Sequence, residues 1–153
     1  MLLRLRPIGH VETDASHEEL RHGSAISKVV IDQKFIHGLE GLKDFSHVYI
    51  LFWLHEMPKR SRRLKVHPRG CPDIQEVGVF ATRSPHRPNP IGLTLVKLLS
   101  KKGRTLEVKG LDAYNGTPVL DIKPYDRRDS APRPRVPYWW KRLERESKHT
   151  RRA

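Results

Sequence analysis

A single cysteine, Cys71, stands in a chain of 153 residues. One thiol cannot close an internal disulfide, and a cysteine-rich metal site is excluded with it. Long apolar runs are also missing. The longest, residues 48–54, is far below the ~20 residues that cross a bilayer as a helix. The stretch 1–7 carries Arg4 and Arg6 and is too short and too charged for the apolar region of a signal peptide. The histidines show no His-Glu-x-x-His spacing, so no metal is expected. A G-x-G-x-x-G loop is absent as well, which speaks against a Rossmann-type nucleotide fold. Together these absences predict a soluble, cytoplasmic protein with no membrane partner.

Acidic residues are scarce. Thirty Lys and Arg face seventeen Asp and Glu, for a formal net charge of +13. Cationic side chains that settle on phosphates release condensed counterions, so this surplus points to a nucleic-acid partner. The alternatives are a charge that serves solubility or reflects an organism-wide bias and, as a weaker third choice, an anionic membrane surface.

What is present reads as strands. Residues 3–6 and 8–12 are extended around Pro7; 28–32, 76–82, 93–99, 105–109 and 119–123 are short alternating or β-branched runs, and Asn115-Gly116 is a turn signal. Short strands without long amphipathic helices between them predict a mainly β fold, a single compact antiparallel β-barrel. Residues 48–54 are apolar on both faces, so this strand is either covered on both sides or lies at a subunit contact. Residues 38–45 read as a turn and a short helix, 57–70 as a long basic loop, and 138–148 as a short C-terminal helix after a Pro-rich linker. The expected division is a barrel over 1–130 and a basic, Pro- and Trp-containing tail over 131–153.

One segment carries the chemistry: GVFATRSPHRPNPIGLT, residues 78–94. Pro85, Pro88 and Pro90 remove three amide donors and fix three φ angles near about −65°. Ser84, Arg87 and Asn89 precede them and are pushed toward extended backbone. The result is a stiff loop with free carbonyls, bearing Arg83, His86 and Arg87. A stiff loop loses little entropy when it holds a ligand; equally, it could be a rigid corner between strands. On a strand Asp121 and Lys123 would share one face with Tyr125. They form either a polar working cluster or an ordinary solvent-facing Asp–Lys pair.

The stretch 78–99 strongly resembles the signature of the TsaA-like (TrmO-type) S-adenosylmethionine-dependent tRNA methyltransferase family. Pro7-Ile8-Gly9, the stretch 41–47 and the stretch 111–125 resemble further blocks of that family, in the same order. One stretch departs: where members carry a Ser-Pro-aromatic turn, this chain has Glu12-Thr13-Asp14-Ala15-Ser16-His17. The resemblance implies a barrel that binds S-adenosylmethionine and works as a homodimer. It implies methylation of N6 of threonylcarbamoyladenosine at tRNA position 37. It places the cofactor against Phe80, Arg83, Ser84, Arg87, Asn89, Pro90, Ile91 and Gly92. It makes Asp121 and Tyr125 candidate proton acceptors, with Lys123 beside them. Candidate tRNA contacts are Lys59, Arg60, Arg62, Arg63, Lys65 and Arg69, and the basic residues around Trp139 and Trp140 out to Lys148, Arg151 and Arg152. With little chain after Tyr125, affinity for tRNA is expected from the barrel, the dimer and the basic tail. The competing readings are an RNA-binding barrel without catalysis, and a methyltransferase acting on another nucleobase or a small molecule.

Overall fold

Runs of β-branched and apolar residues, separated by turn formers, set the strand order. The computed structural model describes residues 3–58 and 63–150. Among them the strands are β1 (Gly9–Glu12), β2 (Ile26–Ile31), β3 (His47–Trp53), β4 (Lys65–Val66), β5 (Val77–Gly78), β6 (Ile91–Lys102), β7 (Thr105–Lys109) and β8 (Pro118–Pro124). Two α-helices accompany them, α1 (His17–His22) after β1 and α2 (Tyr138–Thr150) after β8. Six strands close an antiparallel barrel in the order β1-β2-β7-β6-β3-β8, and β8 returns to β1 through Gly9–Val119 and His10–Pro118. β4 and β5 pair separately as a short ribbon.

A barrel this small is filled by its own side chains. Val11, Val29, Ile31, Val48, Ile50, Phe52, Val96, Leu106, Val108 and Val119 supply the interior, joined by Leu39, Leu111 and Ala113. β3 alternates as its pleat requires: Val48, Ile50 and Phe52 are inside, while Tyr49, Leu51 and Trp53 stay half-buried outside. The outer row lies beside Leu93 and Leu95 of β6, which are 48% and 41% exposed. The two-faced apolar strand therefore has a core side and a partly open side.

Several elements differ from the sequence reading. The run 76–82 is a strand only at Val77–Gly78, then turns into a 3-10 segment at Val79–Ala81. Its partner β4 is only two residues long, so the ladder has nothing to follow. Thr82 then closes the turn by donating its amide and its hydroxyl to the Val79 carbonyl, at 3.1 and 2.8 Å. Residues 3–6 lie outside any strand; β1 starts at Gly9, beyond Pro7. The 38–45 region is two 3-10 segments, Gln33–Leu39 and Leu42–Asp44, separated where Gly41 takes φ 77°. The 57–70 stretch is not wholly exposed: it contributes β4, and Val66 and Pro68 are buried. Helix α1 has no counterpart in the sequence reading. Ser16 and Glu19 form a reciprocal capping box at its start, and Gly23 ends it in the left-handed region at φ 69°. This helix begins in the stretch that departs from the family pattern.

β1 and β2 approach each other closely at Gly9. A Cβ there would sit 2.2 Å from the Val30 carbonyl oxygen and 2.9 Å from the Ile31 Cα. Both obstacles are backbone and neither can rotate away. Gly9→Ala is expected to destabilise the barrel by about 1–3 kcal/mol, typical of overpacking, measured as a lower urea midpoint; an unchanged midpoint would show that β1 can move outward freely.

Candidate functional site

The loop between β5 and β6 is held by its own hydrogen bonds. The Ser84 amide donates to Thr82 Oγ1 at 3.2 Å, and the Arg87 amide donates to the Pro85 carbonyl at 2.8 Å. Arg87 Nη1 reaches back to the Thr82 and Ser84 carbonyls, at 3.3 Å each. Pro90 is buried, and its carbonyl accepts from the Leu54 amide at 2.8 Å. The prolines restrict φ, and these bonds fix what freedom is left.

The loop delivers the chain into β6 at a place where the barrel is split. β6 pairs with β3 from Ile91 onward, but with β7 only from Lys97. Before Lys97 the second edge of β6 faces the residues that follow β7, and Thr94 Oγ1 donates to the Asp112 carboxylate there. A cleft of about 810 Å³ occupies the split. Phe52, Leu54, Met57, Ile91, Leu93 and Ala113 give it apolar surface; Arg83, Arg87, Asn89, Thr94, Asp112 and Thr117 give it polar groups. At its base the Phe52 ring lies directly on the strand, since a Cβ on Gly92 would be 2.3 Å from ring carbon Cε2.

Six of the eight residues expected around a cofactor line this cleft: Phe80, Arg83, Arg87, Asn89, Ile91 and Gly92. Ser84 lines a neighbouring cleft instead, and Pro90 lines neither. Of the two arginines, Arg87 is engaged by the loop carbonyls, while the Arg83 side chain has no hydrogen bond or ion pair among the described residues.

Asp121, Lys123 and Tyr125 sit elsewhere in the single chain. Asp121 is in register with Leu51 and Lys123 with Tyr49, which puts both on the outside of the barrel. Lys123 Nζ and Asp121 Oδ2 are 2.8 Å apart. The hydrogen bond and charge of Asp121 raise the Lys123 pKa above its ordinary value, which favours the charged amine. The Tyr125 ring meets Tyr49 edge-on at 5.8 Å and His47 at 6.4 Å. None of the three lines the cleft.

The sequence reading did not single out Asp112, Tyr114 or Thr117, which line the cleft together with His55. The first three belong to the 111–125 block, whose first half borders the cleft while its second half faces outward. Among the described residues no group of three or more His, Cys, Asp or Glu is placed to hold a metal, and no helix is long and apolar enough to cross a membrane. Lys59, Arg60, Arg62, Arg151 and Arg152 lie outside the described residues.

Arg87→Ala removes both side-chain bonds that brace the loop. The expected cost is about 1 kcal/mol of stability, with several-fold faster tryptic cleavage between Arg83 and Ser84, read by mass spectrometry. Unchanged cleavage would mean that the prolines alone hold the loop.

The model of the tRNA-methyltransferase O N-terminal domain matches residues 14–129. A probable S-adenosyl-L-methionine-binding protein of Methanothermobacter thermautotrophicus is 44% identical over 131 residues, spanning 82% of this chain and 91% of that protein. One of the same description from Archaeoglobus fulgidus is 41% identical over 157 residues, spanning 99% of this chain but 42% of its own length. A human tRNA (adenine(37)-N6)-methyltransferase is 53% identical over 89 residues, 58% of this chain and 20% of that protein. The crystal structure of TrmO from Pseudomonas aeruginosa aligns with a TM-score of 0.69 at 32% identity, over 88% of this chain and 61% of that one. The matched residues run from before α1 to beyond β8 and include the whole braced loop and the split barrel edge. The chain belongs to the tRNA-methyltransferase O N-terminal domain family.

Proposed function

We propose that this chain binds S-adenosylmethionine in the cleft beside β6 and methylates N6 of threonylcarbamoyladenosine at tRNA position 37. The observation that carries the reading is the braced Pro loop opening onto the unpaired edge of β6, with six of the expected cofactor residues gathered there. Family membership and the names of the relatives support it.

The cleft suits the group chemically. Its volume lies in the range that encloses a ligand of this size. Phe52, Leu54, Ile91 and Leu93 offer apolar contact for a purine, and the open strand edge offers backbone donors and acceptors for its rim. Arg83, whose side chain has no partner among the described residues, would take a carboxylate. Asp112, oriented by Thr94, is placed to accept from an ammonium or from ribose hydroxyls. Bound there, S-adenosylmethionine would supply a methyl group on a sulfonium, open to in-line displacement. The protein's part is alignment and removal of one proton from the attacking nitrogen. Asp121 and Tyr125 are the candidates for that proton. Lys123, held charged by Asp121, contributes an electrostatic contact instead.

The chain acts as a homodimer in this proposal. Tyr49, Leu51 and Trp53 on β3, with Leu93 and Leu95 on β6, form a contiguous outer apolar surface that a second copy would cover. Asp121, Lys123 and Tyr125 border that surface. Their part in the reaction is thereby tied to the second copy.

Two outcomes test the proposal. Incubation with methyl-labelled S-adenosylmethionine and tRNA bearing threonylcarbamoyladenosine should place label on N6 of that nucleoside. Label in no nucleoside, from protein that still binds S-adenosylmethionine, would favour an RNA-binding barrel or another substrate. Arg83→Ala should weaken S-adenosylmethionine binding by roughly 10- to 100-fold, the range of a lost charged hydrogen bond, measured by calorimetry; unchanged affinity would remove Arg83 from the site.

Leu95→Glu should give monomers in analytical ultracentrifugation and lose methyl transfer. A wild-type chain that already sediments as a monomer would overturn the dimer.

A further inference from the structure

A second cleft, of about 880 Å³, lies on the other side of Phe80. One wall is the braced loop, from Phe80 to His86; the other is the start of α2, with Trp139 and Trp140. The helix begins beyond residue 129, where the family domain's match ends. It is anchored by Leu143, which is 7% exposed and whose carbonyl accepts from Arg69 Nη1 at 3.2 Å. That anchoring does not require Trp140, which remains 37% exposed. Phe80 is 74% exposed although its neighbour Val79 is 1% exposed. Two large aromatic surfaces are thus presented to one cleft, at a cost in exposed apolar area that packing does not explain.

The charges around them are positive and available. Arg63 and Arg83 line the cleft, and neither side chain has a hydrogen bond or ion pair among the described residues. The single carboxylate in the lining, Glu76, is 3.9 Å from His67 Nε2. Aromatic faces beside free guanidinium groups are the combination that holds single-stranded nucleic acid: bases stack on the rings and phosphates meet the cations. Phe80, Thr82, Arg83 and Pro85 line both clefts, so whatever occupies the second lies immediately beside the first.

We propose that the second cleft is a nucleotide subsite: it receives an unpaired nucleotide adjacent to the target base, stacked on Trp140 and Phe80, with its phosphate on Arg63. This rests on the reading of the first cleft as the S-adenosylmethionine site of an RNA-modifying enzyme. The helix that completes the subsite lies outside the matched family domain, so this part of RNA recognition is supplied by the C-terminal segment.

The test uses the full chain and a fluorescent single-stranded RNA heptamer with the modified adenosine at its centre. A second heptamer carries an abasic neighbour in place of the adjoining nucleotide. Trp140→Ala should weaken binding of the first heptamer roughly 5- to 150-fold, the range for one stacked base, and leave S-adenosylmethionine affinity unchanged. Trp140→Phe should recover most of the loss. The abasic heptamer should bind wild type as weakly as the full heptamer binds Trp140→Ala, and the two changes together should add little. Arg63→Ala should reduce the salt slope by about 1, whether or not the tryptophan variants fold well. Equal binding of both heptamers to wild type, or an unchanged salt slope in Arg63→Ala, would overturn the subsite even if methyl transfer is intact. Failure of wild type to bind either RNA while still binding S-adenosylmethionine would overturn the RNA reading and the subsite together.

Discussion

β6 is twelve residues long and β7 five, and the rest of the molecule's working surface depends on that mismatch. A barrel strand normally satisfies both edges. Among the described residues the first half of β6 has β3 on one side and no strand on the other. Backbone groups left on such an edge need partners or water. Asp112 bonds to Thr94 there, and Thr117, which is 2% exposed, lines the same cleft. Had β7 continued along β6, it would have covered this edge and left no cleft between β6 and the residues after β7.

The braced loop and the missing glycine side chain at position 92 complement this opening. Pro90 cannot donate to a ladder, so it marks where β6 can begin. Gly92 lets Phe52 fill the interior right up to the strand backbone. The cleft is therefore shallow toward the core and open along the edge. Positive charge is divided in a similar way. Arg87, Arg104 and Arg128 bond to carbonyls or to Asp126, and serve the fold. Among the described residues the side chains of Arg63 and Arg83 make no such bonds, and both residues line clefts.

The strands were legible because alternation reports burial directly: β7 coincides with residues 105–109, β6 and β8 contain their expected runs, and β3 holds all of its run except Leu54. The end of β5 was not, because its extent depends on the length of a partner distant in the chain. Helix α1 was legible in principle, through Ser16-x-x-Glu19, but it is short and lies in a stretch with no apolar period. In the site, the prolines announced a stiff loop, and most of its residues do reach the cleft. Asp112 and Thr117 were hidden because the folded chain, not their spacing in the sequence, brings them to the cleft. Alternation correctly put Asp121 and Lys123 on one face, yet a period of two cannot say whether that face looks into the barrel or out of it.

Phe80 and Arg83 each border two clefts. If each cleft holds a ligand, a residue shared in this way is tuned for one only by altering the other, and substitutions there are non-additive with changes on either side. Residues that touch a single cleft, such as Asn89 or Trp140, are the places where one recognition surface can diverge while the other is kept.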